Sequence, residues 1–102
     1  MSRLLTDEEI TRQLADLPGW RRDGDTLRSS YSSPSFAAAI EFVRLVAVDA
    51  DQMDHHPDIE ISYTTVRWTL STHSEGGITQ LDIELAHRIG EAAESTGSTT
   101  SG

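Results

Sequence analysis

Three of the four histidines, His55, His56 and His73, stand close together in the chain, with Asp51 four positions before His55 and Asp82 nine positions after His73. An imidazole exchanges protons near neutral pH, and a carboxylate beside it fixes its orientation. The set is therefore a toolkit for general acid–base chemistry. On a helix, the spacing of Asp51 and His55 puts both on one face, one turn apart. A helix that ends here also brings its negative pole to His55. Both effects favour the imidazolium, so His55 reads as a proton donor. His73, at the end of a polar strand face, could reach the same cleft, and Asp82 opens the next helix.

Plainer readings compete for the same residues. A His pair before Pro57 can be a helix terminus that uses its imidazoles as caps. His73 alone reads as an exposed strand residue, and a capping role accounts for Asp82. Trp68 and Tyr63 read as core. Trp20, flanked by charged residues, either lines a pocket or closes the core. His87, next to Arg88, reads as solvated. A third reading has His55, His56, His73 and Asp82 holding zinc or iron. Against it, adjacent residues such as His55 and His56 diverge, and no HExxH spacing is present.

Three helices and two hairpins must position these groups. Thr6 and Glu9 fit a capping box, with Leu5 and Ile10 as its hydrophobic staple, and Pro18-Gly19 ends that first helix. Trp20–Asp23 and Thr26–Tyr31 flank the Asp23-Gly24-Asp25 turn as a hairpin. Ser33 is the expected N-cap of a second helix, with Pro34 at its first position. Phe36, Ile40, Val43, Ala47 and Ala50 form its apolar face, widened by Phe42, Leu45, Val46 and Met53. Pro57 stops this helix at or just before His56. Ile59, Ile61 and Tyr63 alternate with Glu60 and Ser62, the pattern of a half-buried strand. After a Thr64-Thr65 link, Val66, Trp68 and Leu70 alternate in the same way. Thr79 with Asp82, and Ile78 with Ile83, repeat the box and staple ahead of a third helix that runs to about Ala93. The stretch 94–102 has no apolar residue and is expected to be a disordered tail, which leaves one domain over 1–93. The expected architecture is α+β, in the order α-β-β-α-β-β-α: a four-stranded antiparallel sheet with helices on one face.

Composition narrows the chemistry further. The chain has 102 residues and a net charge of −9. Such a surface repels phosphate backbones and anionic headgroups, so neither nucleic acid nor a membrane is an expected partner. All basic residues are Arg and there is no Cys. Schiff-base, P-loop-lysine and thiol chemistry are excluded. Met1 to Glu9 lacks the apolar core of a signal peptide, and no apolar stretch approaches the roughly 20 residues of a membrane span. A cytoplasmic protein is expected. A second helix that is apolar around so much of its circumference needs more cover than one small sheet, so self-association is expected as well.

Asp51-x-x-x-His55-His56-Pro57, followed by Tyr63, His73 and Asp82, resembles the signature of the pterin-4a-carbinolamine dehydratases. Leu70-Ser71-Thr72-His73 and Gly19-Trp20 are also similar to that family, and the resemblance spans about Leu4 to Ile89. The family often has Glu where this chain has the shorter Asp51. The resemblance implies the same four-stranded fold and homo-oligomers, either dimers or tetramers. It implies the removal of water from a 4a-hydroxytetrahydropterin to give the quinonoid dihydropterin, with no metal or organic cofactor, in the recycling of tetrahydrobiopterin. His55 and His73 become the acid/base pair and His56 the group that orients the pterin. Asp51 becomes the partner of His55, and Asp82 the support of His73 or the substrate. Pro57, Trp20, Ser71 and Thr72 complete the implied surroundings of the site. Some members of the family also act through protein interaction. The wide stripe on the second helix is the feature that would serve a protein-interaction or dimerisation module here.

Overall fold

The computed structural model describes residues 3–101. Both capping boxes form. Thr6 Oγ1 accepts from Glu9 N, Glu9 returns a bond to Thr6 N, and helix α1 runs over Asp7–Leu14. Thr79 and Asp82 make the same exchange at the start of α3, Gln80–Thr96. Between them lie β1 (Arg21–Asp23), β2 (Thr26–Ser32), α2 (Phe36–Met53), β3 (Asp58–Ser62) and β4 (Thr65–Leu70). A single 3₁₀ turn follows at His73–Glu75.

The strands are antiparallel in the order β1-β2-β4-β3. Register sets the faces. Leu27 lies opposite Leu70, Ser29 opposite Trp68 and Tyr31 opposite Val66, so one face of β2 and β4 carries the apolar residues. All six of these side chains are buried. Phe42 of α2 meets this face edge-on, with ring centroids 5.3 Å from Tyr31 and 5.1 Å from Trp68. Edge-to-face geometry matches the positive rim of one ring to the negative face of the next. Ile83, Leu85, Ala86 and Ile89 of α3 complete the core. The opposite face of the sheet carries Arg21, Arg28 and Arg67 above a hollow of about 270 Å³.

Five expectations need correction. First, Ser35, not Ser33, caps α2, its Oγ accepting from Ala38 N. The helix therefore starts after Pro34, and Ser33 Oγ instead bonds Ser98 Oγ at 2.7 Å. Second, α2 ends at Met53 rather than at His56, because Asp54 adopts the left-handed conformation (φ 49°). Its short polar side chain makes that conformation tolerable. His55 N then reaches back to Ala50 O at 3.0 Å. Third, the buried face of α2 is Ala39, Phe42, Val46 and Ala50. Phe36 and Ile40, placed on the inner stripe by spacing, are exposed. Two apolar stripes on one helix give periodicity no means of choosing between them.

Fourth, β3 is exposed along its whole length. Ile59 and Ile61 share a sheet face with Trp68 and Val66, but they sit on the edge strand and stay 40% and 38% exposed. The β3–β4 turn is Tyr63-Thr64 rather than Thr64-Thr65, since Ser62 pairs with Thr65. Tyr63 is exposed there with φ 52°, an uncommon state for a bulky residue. Fifth, order continues past Ala93 where a disordered tail was expected. Helix α3 runs on to Thr96, and β5 (Thr99–Thr100) pairs with Tyr31 and Ser32 of β2. The sheet thus has a fifth strand, which lies beside β2 beyond the end of β1. A side chain at Gly19 would collide with it, since a Cβ there falls 2.3 Å from Thr100 Cγ2. Polar composition hid this strand because backbone pairing needs no apolar side chain.

Candidate active site

The β3–β4 hairpin brings the two histidine-bearing segments side by side. Asp58 pairs with Thr69, so the segment entering β3, His55-His56-Pro57, lies beside the segment leaving β4, Ser71-Thr72-His73. The capped start of α3 supplies Asp82 at the same place. Its box fixes the carboxylate: Oδ2 accepts from Thr79 N at 2.9 Å and from Thr72 Oγ1 at 2.8 Å. Oδ1 stands 2.6 Å from His55 Nε2. Thr72 Oγ1 and Thr79 Oγ1 are themselves 2.8 Å apart. His55, Thr72, Thr79 and Asp82 are all buried, the last two completely. Every polar atom in this cluster is spoken for except His55 Nδ1. Among the described residues, the fully buried side-chain polar atom without a partner is Trp68 Nε1, so His55 Nδ1 keeps contact with solvent.

The structure pairs the carboxylates differently from the helical spacing. Asp51 Oδ1 lies 2.9 Å from His56 Nε2, and both side chains are mostly exposed. Asp82, not Asp51, holds His55. The i,i+4 relation between Asp51 and His55 requires helix through His55, and the left-handed turn at Asp54 removes it.

The remaining expected residues are dispersed. His73 occupies the 3₁₀ turn, exposed, one residue from Thr72. Pro57 is half-buried. Ser71 Oγ donates to Asp25 O at 3.0 Å and ties the end of β4 to the β1–β2 turn. Trp20 is buried elsewhere, where its Nε1 donates to Tyr31 Oη at 3.2 Å. It lines a cleft of about 420 Å³ against α3 and β5, and none of His55, His56 and His73 lies in that lining. Tyr63 sits at the opposite end of β4 from Thr72, six strand residues or roughly 20 Å away. Thr79 is the one member of the buried cluster that sequence reasoning saw only as a helix cap. Its place in the same box as Asp82 was the available signal.

A buried carboxylate behind one nitrogen of an imidazole whose other nitrogen reaches solvent is the arrangement by which proteins fix an imidazole for proton transfer. For the metal reading, no group of three or more His, Asp or Glu side chains among the described residues is placed to hold an ion. No described helix is long and apolar enough to cross a membrane.

Comparison with known proteins gives consistent results. The family model described as "Pterin 4 alpha carbinolamine dehydratase" matches residues 3–92. A Mycobacteroides abscessus protein, provisionally named a pterin-4-alpha-carbinolamine dehydratase, is 52% identical over 86 residues, covering 84% of this chain and 92% of its own. A crystal structure from Brucella melitensis, titled as a transcriptional coactivator/pterin dehydratase, superposes with a TM-score of 0.85 at 35% identity. It covers 87% of this chain and 97% of its own. A pterin dehydratase-like RuBisCO assembly factor of the alpha-carboxysome shares the fold, with a TM-score of 0.63 at 24% identity over 74% of this chain and 89% of its own.

Proposed function

The chain belongs to the pterin-4-alpha-carbinolamine dehydratase family, and from that premise we propose that it dehydrates a 4a-hydroxytetrahydropterin by histidine acid–base catalysis, as a step in tetrahydrobiopterin recycling in the cytoplasm. The observation that carries this reading is the buried His55–Asp82 pair, at 2.6 Å, inside the segment that matches the family. The reaction breaks the bond from C4a to its hydroxyl. One proton goes to the departing oxygen to give water, another leaves the adjacent ring nitrogen, and the C=N double bond forms between those two atoms. No electrons are exchanged with a second reactant, and no covalent nucleophile is needed.

His55, held by Asp82, presents Nδ1 to one side of the reaction, and His73 on its exposed turn supplies the second proton-transfer group. His56, paired with Asp51 at the surface, orients the pterin ring. Each positioned imidazole is worth about 10²–10⁴-fold. The test is a coupled assay on freshly generated 4a-hydroxypterin. Wild type should outrun the spontaneous dehydration, and His55→Ala and His73→Ala should each lose about 10²-fold or more. A wild-type rate equal to the spontaneous one overturns the enzyme reading. Full activity in both variants overturns the roles.

A second reading, a protein-interaction module, rests on the outer face of α2, where Phe36, Ile40 and Val48 are each more than 40% exposed. The Brucella melitensis relative, named a transcriptional coactivator as well as a pterin dehydratase, supports such a use of the fold. Burying that face against a second copy also makes the protein a homo-oligomer. Light scattering should give a mass well above the 11.2 kDa of one chain. Phe36→Asp should lower that mass if the face is the contact.

A further inference from the structure

We propose that Thr79 is a positioning residue for His55, acting through its hydroxyl proton as well as through its helix-capping oxygen. The argument is a count of protons. Asp82 as a carboxylate only accepts. Thr72 has one hydroxyl proton, and the 2.8 Å contact to Asp82 Oδ2 uses it. In the 2.8 Å contact between Thr72 and Thr79, Thr72 must therefore accept, and Thr79 must donate. The Thr79 oxygen still accepts from Leu81 N at 3.2 Å, so its capping role is kept. The chain then runs one way: Thr79 O–H to Thr72, and Thr72 O–H to Asp82 Oδ2. On the other oxygen, Asp82 Oδ1 receives the proton of His55 Nε2.

Three donors on the carboxylate, two on Oδ2 and one on Oδ1, leave a single consistent arrangement. His55 carries its proton on Nε2, and Nδ1 is the nitrogen that exchanges protons with the outside. Without the Thr79 hydroxyl, the Thr72 oxygen loses the donor that fixes it, so Thr72 can rotate about Cα–Cβ into the vacated space and leave Asp82 Oδ2 held by the Thr79 N–H alone. All of this lies in fully or nearly fully buried side chains, where water cannot replace a lost partner.

The other capping box supplies a control within the same molecule. Thr6 caps α1 with the same two reciprocal bonds, but its box is exposed and joins no histidine. The experiment compares Thr79→Ala, Thr79→Ser, Thr79→Val and Thr6→Ala in the full chain. It reads the imidazole nitrogens of His55 by nitrogen-15 NMR and follows kcat and KM separately. Wild type and Thr79→Ser should show His55 protonated on Nε2. Thr79→Ala should mix the tautomers and lower kcat by about tenfold, with KM changed by less than about twofold. Thr6→Ala should change neither the spectrum nor kcat.

If Thr79→Ala does not fold, Thr79→Val, which keeps the branched shape of threonine without its hydroxyl, carries the comparison with Thr79→Ser. The proposal is overturned by a wild-type His55 protonated on Nδ1, or by a wild-type spectrum and kcat in Thr79→Ala or Thr79→Val. The kinetic arm rests on the dehydratase reading, whereas the spectrum does not. An inactive wild type with an intact Nε2 signal would sink the reaction and leave the positioning role standing.

Discussion

His55 and His56 are neighbours in the chain, and each faces one carboxylate at hydrogen-bonding distance, yet the two pairs differ in kind. His55 and Asp82 are 2.6 Å apart with 9% and 0% of their side chains exposed. His56 and Asp51 are 2.9 Å apart with 58% and 78% exposed. Burial keeps water away from the Asp82 carboxylate, so one threonine hydroxyl and a backbone N–H satisfy it beside the imidazole. Around the second, water competes with the contact and salt screens it. The difference teaches that a carboxylate's neighbours, more than its distance, decide whether it holds an imidazole.

The largest effect should come from breaking the buried pair. Asp82→Ala removes the partner of His55, strands the Thr72 hydroxyl and deletes half of a capping box. Loss of about 3–5 kcal/mol is expected, read from urea unfolding midpoints. A loss under about 1 kcal/mol would place this pair with the exposed one and end the contrast.

Thr72→Val should come next. It leaves Asp82 and Thr79 each short of a buried partner, at about 1–3 kcal/mol, with the loss independent of salt. The exposed pair should respond far less. His56→Ala or Asp51→Ala should change stability by less than about 1 kcal/mol, and added salt should shrink even that. Equal losses for Thr72→Val and His56→Ala would mean that burial is not the deciding term.

The smallest effect separates the two capping boxes by pH. The Arg3 side chain, then the Thr6 backbone N–H, hold the Glu9 carboxyl down to about 2. A carboxyl lowered on folding stabilises the folded state above its unfolded value. That stabilisation is lost as pH falls from the ordinary carboxylate range through about 2. The stability gap between wild type and Glu9→Gln should therefore be wider at neutral pH than in acid. A gap that does not narrow on acidification removes the ion pair from the account.

Much of this was legible in the residues. Each capping box is a four-residue motif whose partners are local, so Thr6–Glu9 and Thr79–Asp82 could be read directly. Val66, Trp68 and Leu70 alternate cleanly because β4 lies inside the sheet with one face buried. Ile59 and Ile61 alternate equally well, but exposure depends on whether a helix lies over the edge strand, and no local pattern carries that information. The pairing of Asp51 with His55 failed for a similar reason. It needed one more helical turn, and a single left-handed residue, Asp54, ended the helix before it.

By itself the sequence determined the elements, their order, the acid–base character of the residues and, through the spaced histidine motif, the resemblance to a family. These follow from interactions within a few residues, or from the identity of the side chains themselves. Only the tertiary structure decided which carboxylate holds which histidine, which stripe of α2 faces the core, and that Thr99 and Thr100 close the edge of β2. Each of those outcomes joins residues far apart in the chain, His55 to Asp82 and Tyr31 to Thr100. Burial then sets the strength of each contact, and burial exists only once the sheet and helices have packed.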